Sequence, residues 1–270
     1  MVEWLRCMKM KPPAGLVLPA PVPQAQVSEA KEHGGRFWFT TSQNFIATIC
    51  HSWHNIAMDF ANLVKLVGDE PAFETALLLA GEVDGRDLRR QLSRWTKAGR
   101  LYQLRRGLYT LAPPFQKVKP HPFVIANRMV RGSYVSCQST LAHYGHIPEY
   151  VPVVVSVTTA RPGRWETPLG IFEFHHVKTD WLRGYRLIEL CGGQKAFVAS
   201  PEKALLDLIH LHAGGDSPQY LRELRLQNLE RLDLDELQRL AALAGRPKLK
   251  RAAKLISELV RADAEEYKTL

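Results

Sequence analysis

The sequence predicts an α+β chain in two folded units, and three observations predict it. Residues 86–119 hold ten Lys or Arg against one acid, Asp87, in a helix-then-hairpin pattern. Short β-branched and aromatic runs dominate from 151 to 198. Leucines then recur at helical spacing, Leu221 and Leu224, later Leu237, Leu240 and Leu243.

The first elements come in order. Residues 1–57 (Pro-rich to 35, then aromatic and His-rich without a period) are expected to be a disordered or non-native extension, with Met58 as the native start. A peptide from 36–57 in protein from its own host would contradict that. A helix is expected over about 59–67, with Phe60, Leu63, Val64 and Val67 on one face. A second is expected over about 71–80, with Pro71 at its first position and Gly81 past its end. A third runs over about 85–98 and stops at Gly99. Its Leu88, Leu92 and Trp95 share one face, and Arg86, Arg90, Ser93 and Lys97 share the opposite one. Arg89 and Arg94 flank that face. A hairpin pairs Leu101–Leu104 with Leu108–Leu111 around an Arg105-Arg106-Gly107 turn.

This order is that of a winged helix-turn-helix over 58–114, with 115–120 as a linker. A cationic helix of this kind suits the major groove, where Arg donates two bonds to a guanine edge. The wing tip Arg105 and Arg106 suit phosphate or the minor groove. A solvated helix face is the plainer alternative, but one acid among ten cations leaves little internal pairing. The chain carries +9 at pH 7, and 86–119 alone account for +9, which favours a polyanionic partner.

Residues 121–270 form the second unit. A helix is expected over about 121–130 and a short one over 138–145. Strands are expected at Val151–Thr159, Gly170–Val177, Tyr185–Leu190 and Lys195–Val198. Ser200-Pro201-Glu202 caps a helix to about His212, and a helical tail covers about 218–265.

No catalytic or metal site is expected. The ten histidines lack an H-E-x-x-H pattern or nearby cysteines, and His175 and His176 face opposite sides of a strand. Ser133, Ser136, Cys137 and Ser139 near His143 lack a G-x-S-x-G elbow. Glu173 lies on a strand, but its two-on neighbour is His175 rather than the Lys a carboxylate nuclease needs. The four cysteines form no C-x-x-C pair and suggest no disulfide framework, so a reducing cytoplasm is the simplest location. No apolar run approaches the ~20 residues of a membrane span.

Four segments carry a resemblance: Leu104-Arg-Arg-Gly-Leu-Tyr109, Gly132-Ser-Tyr-Val-Ser136, Leu141-Ala-His-Tyr-Gly-His-Ile-Pro-Glu149 and Ser200-Pro-Glu-Lys-Ala-Leu-Leu-Asp207. In this order and spacing the chain, over about 59–262, resembles the AbiEi family of antitoxins of type IV toxin–antitoxin, abortive-infection systems. The resemblance implies a winged helix-turn-helix that binds double-stranded operator DNA and represses its own operon. It implies a mixed α/β antitoxin domain with a helical C-terminal tail. Its partner would be a cognate nucleotidyltransferase-like toxin, counteracted without need of a stable complex. No cofactor and no enzyme activity are implied. The family's DNA-contacting cations fall on Arg89, Arg90, Arg94, Lys97, Arg105 and Arg106. Tyr134, Tyr144, Gly145, Pro148 and Asp207 are read as shaping the core, with Asp207 as a buried hydrogen-bond hub. The alternatives are a solitary winged-helix regulator without a toxin, a DNA-targeted nuclease, or a protein-interaction module whose basic face binds an acidic toxin or RNA.

Overall fold

Asp59 starts the first helix by accepting the Asn62 amide at 2.7 Å, leaving Leu63 and Val67 of α1 (Phe60–Val67) to point into a core. The computed structural model describes residues 58–80 and 84–268, the last with side chains to 263. The expectations for residues 1–57 and Gly81 lie outside them. The chain is mixed α+β.

The expected helix over 71–80 is replaced by two elements. Phe73–Glu74 form a strand, β1, and only Thr75–Leu78 form helix α2. The reason is tertiary. Phe73 and Glu74 pair antiparallel with Tyr109 and Leu108 of the hairpin, and Phe73 stacks on Tyr109 with ring centres 6.0 Å apart. Pro71 does not open a helix; its carbonyl accepts the Thr110 hydroxyl at 2.9 Å.

Helix α3 (Gly85–Lys97) follows the sequence reading. Asp84 caps it through the Arg86 amide, and Gly99, at φ +68°, turns the chain out of it. Strands β2 (Leu101–Arg105) and β3 (Leu108–Leu111) complete a sheet of order β1-β3-β2. Arg105 ends β2 opposite Leu108, so the turn narrows to Arg106-Gly107, with Gly107 at φ +81°. Leu88, Leu92 and Trp95 pack with Leu63, Val67, Phe73, Leu101 and Leu111.

The second unit begins at α4 (Pro122–Met129). Strand β4 (Tyr134–Val135) leads to α5 (Cys137–Tyr144), which Gly145 ends in the left-handed region. Strands β5 (Val153–Thr158), β6 (Gly163–Thr167) and β7 (Gly170–His176) follow, then β8 (Tyr185–Glu189) and β9 (Lys195–Ala199). The sheet order is β6-β7-β5-β4-β9-β8, with β5 parallel to β7 and β4 parallel to β9. Strand β6 was not expected. It is an edge strand, paired only to β7, so its Gly-Arg-Trp-Glu-Thr sequence carries few buried side chains and little strand signal. Helices α6 (Pro201–Leu211), α7 (Pro218–Glu223), α8 (Leu234–Leu243) and α9 (Pro247–Lys268) complete the chain. Among the described residues no helix is long and apolar enough to cross a membrane.

Alternation along the strands gives the sheet two buried faces. Tyr134 and Val157 face a core with α5, α6, α8 and α9. Val135, Phe172, Phe174 and Val198 face α4. This second core also takes in Ala72, Leu104 and Leu108, so the turn end of the hairpin is seated on the second unit. The expected linker is strapped down as well. Phe115 meets Phe60 edge-on at 4.8 Å, and the Gln194 amide bonds both the Lys119 carbonyl and the His121 N–H. Cys137 is free and buried.

His121 caps α4 by accepting the Phe123 amide at Nδ1, 3.2 Å away. Burial, and then the neighbouring His143, push its imidazole down to about 4. A folded pKa below the ordinary 6.5 means stability that is present above pH 6.5 and lost as pH falls towards 4. The shift corresponds to about 3 kcal/mol. His146 and His210 are lowered too, first by burial. His121→Asn keeps a capping acceptor without the titration. Urea unfolding at pH 7 and pH 4 should therefore show a smaller acid loss in the variant than in the parent chain. Equal losses would contradict the assignment to His121.

Candidate nucleic-acid interface

Helix α3 is fixed by its apolar face, and this decides what its other face shows. With Leu88, Leu92 and Trp95 buried, Arg86, Arg89, Arg90, Ser93, Arg94 and Lys97 are all solvent-exposed. The structure thus brings the six helix residues singled out from sequence onto one accessible surface. Two are partly engaged. Arg90 meets Asp87 at 3.1 Å, and Arg89 donates Nε to the Gly85 carbonyl at 2.7 Å. Both contacts are exposed and are readily exchanged for a phosphate or a base. Among the described residues Arg86, Arg94 and Lys97 have no ion-pair partner.

The hairpin adds Arg106, exposed at the turn. Arg105 differs from expectation: it is half-buried, and its Nε is shut from water without a hydrogen-bond partner. The turn is held from below, because Thr75 donates both its N–H (2.9 Å) and its hydroxyl (3.3 Å) to the Gly107 carbonyl. Sequence reasoning missed this strut because it placed Thr75 in the second turn of a helix over 71–80, where its N–H would bond within the helix, whereas Thr75 is the first residue of α2.

The other candidate chemistry is accounted for by internal bonds. Ser133 donates to the Val130 carbonyl, Ser139 to the Val153 carbonyl and Ser136 to Asp207. Burial pushes the Cys137 thiol up. Glu173 meets His175 at 3.1 Å and Arg164 at 3.5 Å, while His176 bonds the Ala160 carbonyl. Among the described residues no three His, Cys, Asp or Glu are grouped so as to hold a metal.

The Ser200–Asp207 motif builds a polar centre inside the second unit. Asp207 Oδ2 accepts from Tyr134 Oη (3.0 Å) and Ser136 Oγ (2.6 Å). Its Oδ1 accepts from Trp181 Nε1 (2.6 Å) and Lys203 Nζ. Asp207 is the hub that its apolar neighbours suggested. Lys203 was missed: it is 1% exposed, with Nζ 3.7 Å above the Trp181 ring. Burial lowers its pKa and Asp207 opposes that shift. The signal was available, as Lys203 sits four residues before Asp207 in a helix whose residues 202–209 are otherwise mostly apolar. Glu202, read as a dipole partner, is buried and accepts the Asp233 amide at 3.0 Å. Of the remaining motif residues, Gly145 ends α5 and its carbonyl accepts from Asn228, Tyr144 packs against the α4 side of the sheet, and Pro148 is exposed.

No known protein-family model matches this chain, and no curated protein is significantly similar to it.

Proposed function

We infer that residues 58–114 act as a winged helix-turn-helix, with α3 in the major groove of duplex DNA and the β2–β3 turn on the backbone. The observation that carries this is the exposed row of Arg86, Arg90, Arg94 and Lys97 on a helix clamped by Leu88, Leu92 and Trp95, beside the exposed Arg106. Such a face neutralises phosphates and reads base edges. With the resemblance to AbiEi antitoxins, it supports a DNA-binding autorepressor that also acts as antitoxin to a nucleotidyltransferase-like toxin, without catalysis of its own. On this reading the chain works with its DNA in the cytoplasm.

The wing gives a direct test. Arg106→Ala should weaken binding to every duplex alike and flatten the dependence on log salt by about one unit, the signature of one lost phosphate contact. Loss on one sequence only, with an unchanged slope, would assign Arg106 to a base instead. The antitoxin part is tested by co-expression with the toxin encoded alongside: the chain should restore growth. A solitary regulator would bind DNA and rescue nothing.

A further inference from the structure

Arg128 and Arg131 lie at the end of α4, outside the DNA-facing surface, and both reach into the first unit. Arg128 donates to the Ala72 carbonyl at 2.6 Å and meets Glu70 at 2.8 Å. Arg131 meets Glu74 at 2.7 Å. These contacts bracket β1. The next residue, Thr75, is the one whose N–H and hydroxyl hold the Gly107 carbonyl in the wing turn. On the other side, Leu104 and Leu108, which flank the wing turn, sit in the core that α4 and the large sheet share. The turn end of the wing is therefore gripped by the second unit in two ways, directly through the apolar packing of Leu104 and Leu108 and indirectly through β1 and Thr75.

We propose that Arg128 and Arg131 are positioning residues for DNA binding: by holding β1 they fix the wing turn in the orientation that presents Arg106. The proposal rests on the reading of 58–114 as a winged helix-turn-helix. It makes the second unit part of the DNA-reading machinery rather than a separate domain on a tether. It also gives any partner of the second unit that disturbs the end of α4 a route to the wing.

The sign of one substitution separates this from simple electrostatics. Glu74→Met removes an acid near a DNA-binding surface, so charge alone predicts tighter binding. Loss of the clamp predicts weaker binding, by about threefold to tenfold. The full chain would be titrated on the DNA upstream of its gene at two salt concentrations. Glu74→Met should also lower the salt slope, and it should add little to Arg106→Ala, because both act through the wing. Glu74→Gln, which keeps an acceptor for Arg131, should restore parental affinity. Thermal unfolding should barely move, since exposed ion pairs contribute little to global stability. Amide exchange reports on the clamp without DNA, and Thr75 N–H should exchange faster in Glu74→Met. Equal or tighter DNA binding by Glu74→Met, or unchanged exchange at Thr75, overturns the proposal. Failure of the parent chain to bind any duplex overturns the winged-helix reading, and the wing role with it, whatever Thr75 does.

Discussion

Replacing Asp207 with Ala is expected to lower the free energy of unfolding by about 3–5 kcal/mol. Asp207 is fully buried and satisfies four donors at once: the Tyr134 and Ser136 hydroxyls, the Trp181 indole and the Lys203 ammonium. Truncation leaves all four without their acceptor, in a place water does not reach. The largest part of the cost is the Lys203 charge, which is held between Asp207 and the Trp181 ring. Removing one partner of a buried pair is far costlier than removing both. Asp207→Leu with Lys203→Met should therefore recover much of the loss. Urea unfolding of the three proteins at pH 7 measures this. A loss below about 1 kcal/mol for Asp207→Ala would mean that the centre is hydrated or slack, contrary to the bonds seen. DNA binding by the folded fraction should be unaffected, since none of these groups faces α3.

Arg94→Ala is expected to cost about 1–3 kcal/mol of affinity for the preferred DNA site, and to relax specificity there. Arg94 is exposed on α3 and is spent on no ion pair among the described residues, so its donors are free for a base edge. Arg90→Ala should cost at least as much, because it also frees Asp87 from its ion pair and would leave an unneutralised acid beside the DNA. The measurement is a competition titration of each variant against the preferred site and against single-base changes within it. If Arg94→Ala weakens all sequences by one common factor, the residue touches phosphate and the docking of α3 must be rotated about its axis. If neither variant changes affinity, α3 does not enter a groove.

Much of this was legible in the sequence, for identifiable reasons. Helix α3 was readable because Leu88, Leu92 and Trp95 fix one face and leave the cations only the other. Ser200-Pro201 announced α6 because capping is local chemistry, and the Ser200 hydroxyl does accept the Lys203 amide. Strand β1 was not readable. Its two residues gain their state from Tyr109 and Leu108, more than thirty positions away, and helix propensity in 71–80 gave no warning of that. Strand β6 was hidden by its edge position. The Lys203 centre and the Arg128–Arg131 clamp share a different cause. A charged side chain says nothing by itself about whether it faces water or a partner, and only the packing of α4 and α6 on the sheet decides it. The site followed the same division. The helix cations share one exposed surface, as their spacing implies, while Arg105 is half-buried because it closes the hairpin opposite Leu108 instead of lying in the turn.

The most direct test of the central claim is a mobility-shift titration of the full chain on the DNA upstream of its own gene, against scrambled competitor, at two salt concentrations. The account predicts tight binding to the upstream DNA that weakens steeply with salt and survives scrambled competitor. Equal, weak binding to both DNAs would contradict it and leave the Arg86–Lys97 face as a solvated surface or a dock for an acidic protein.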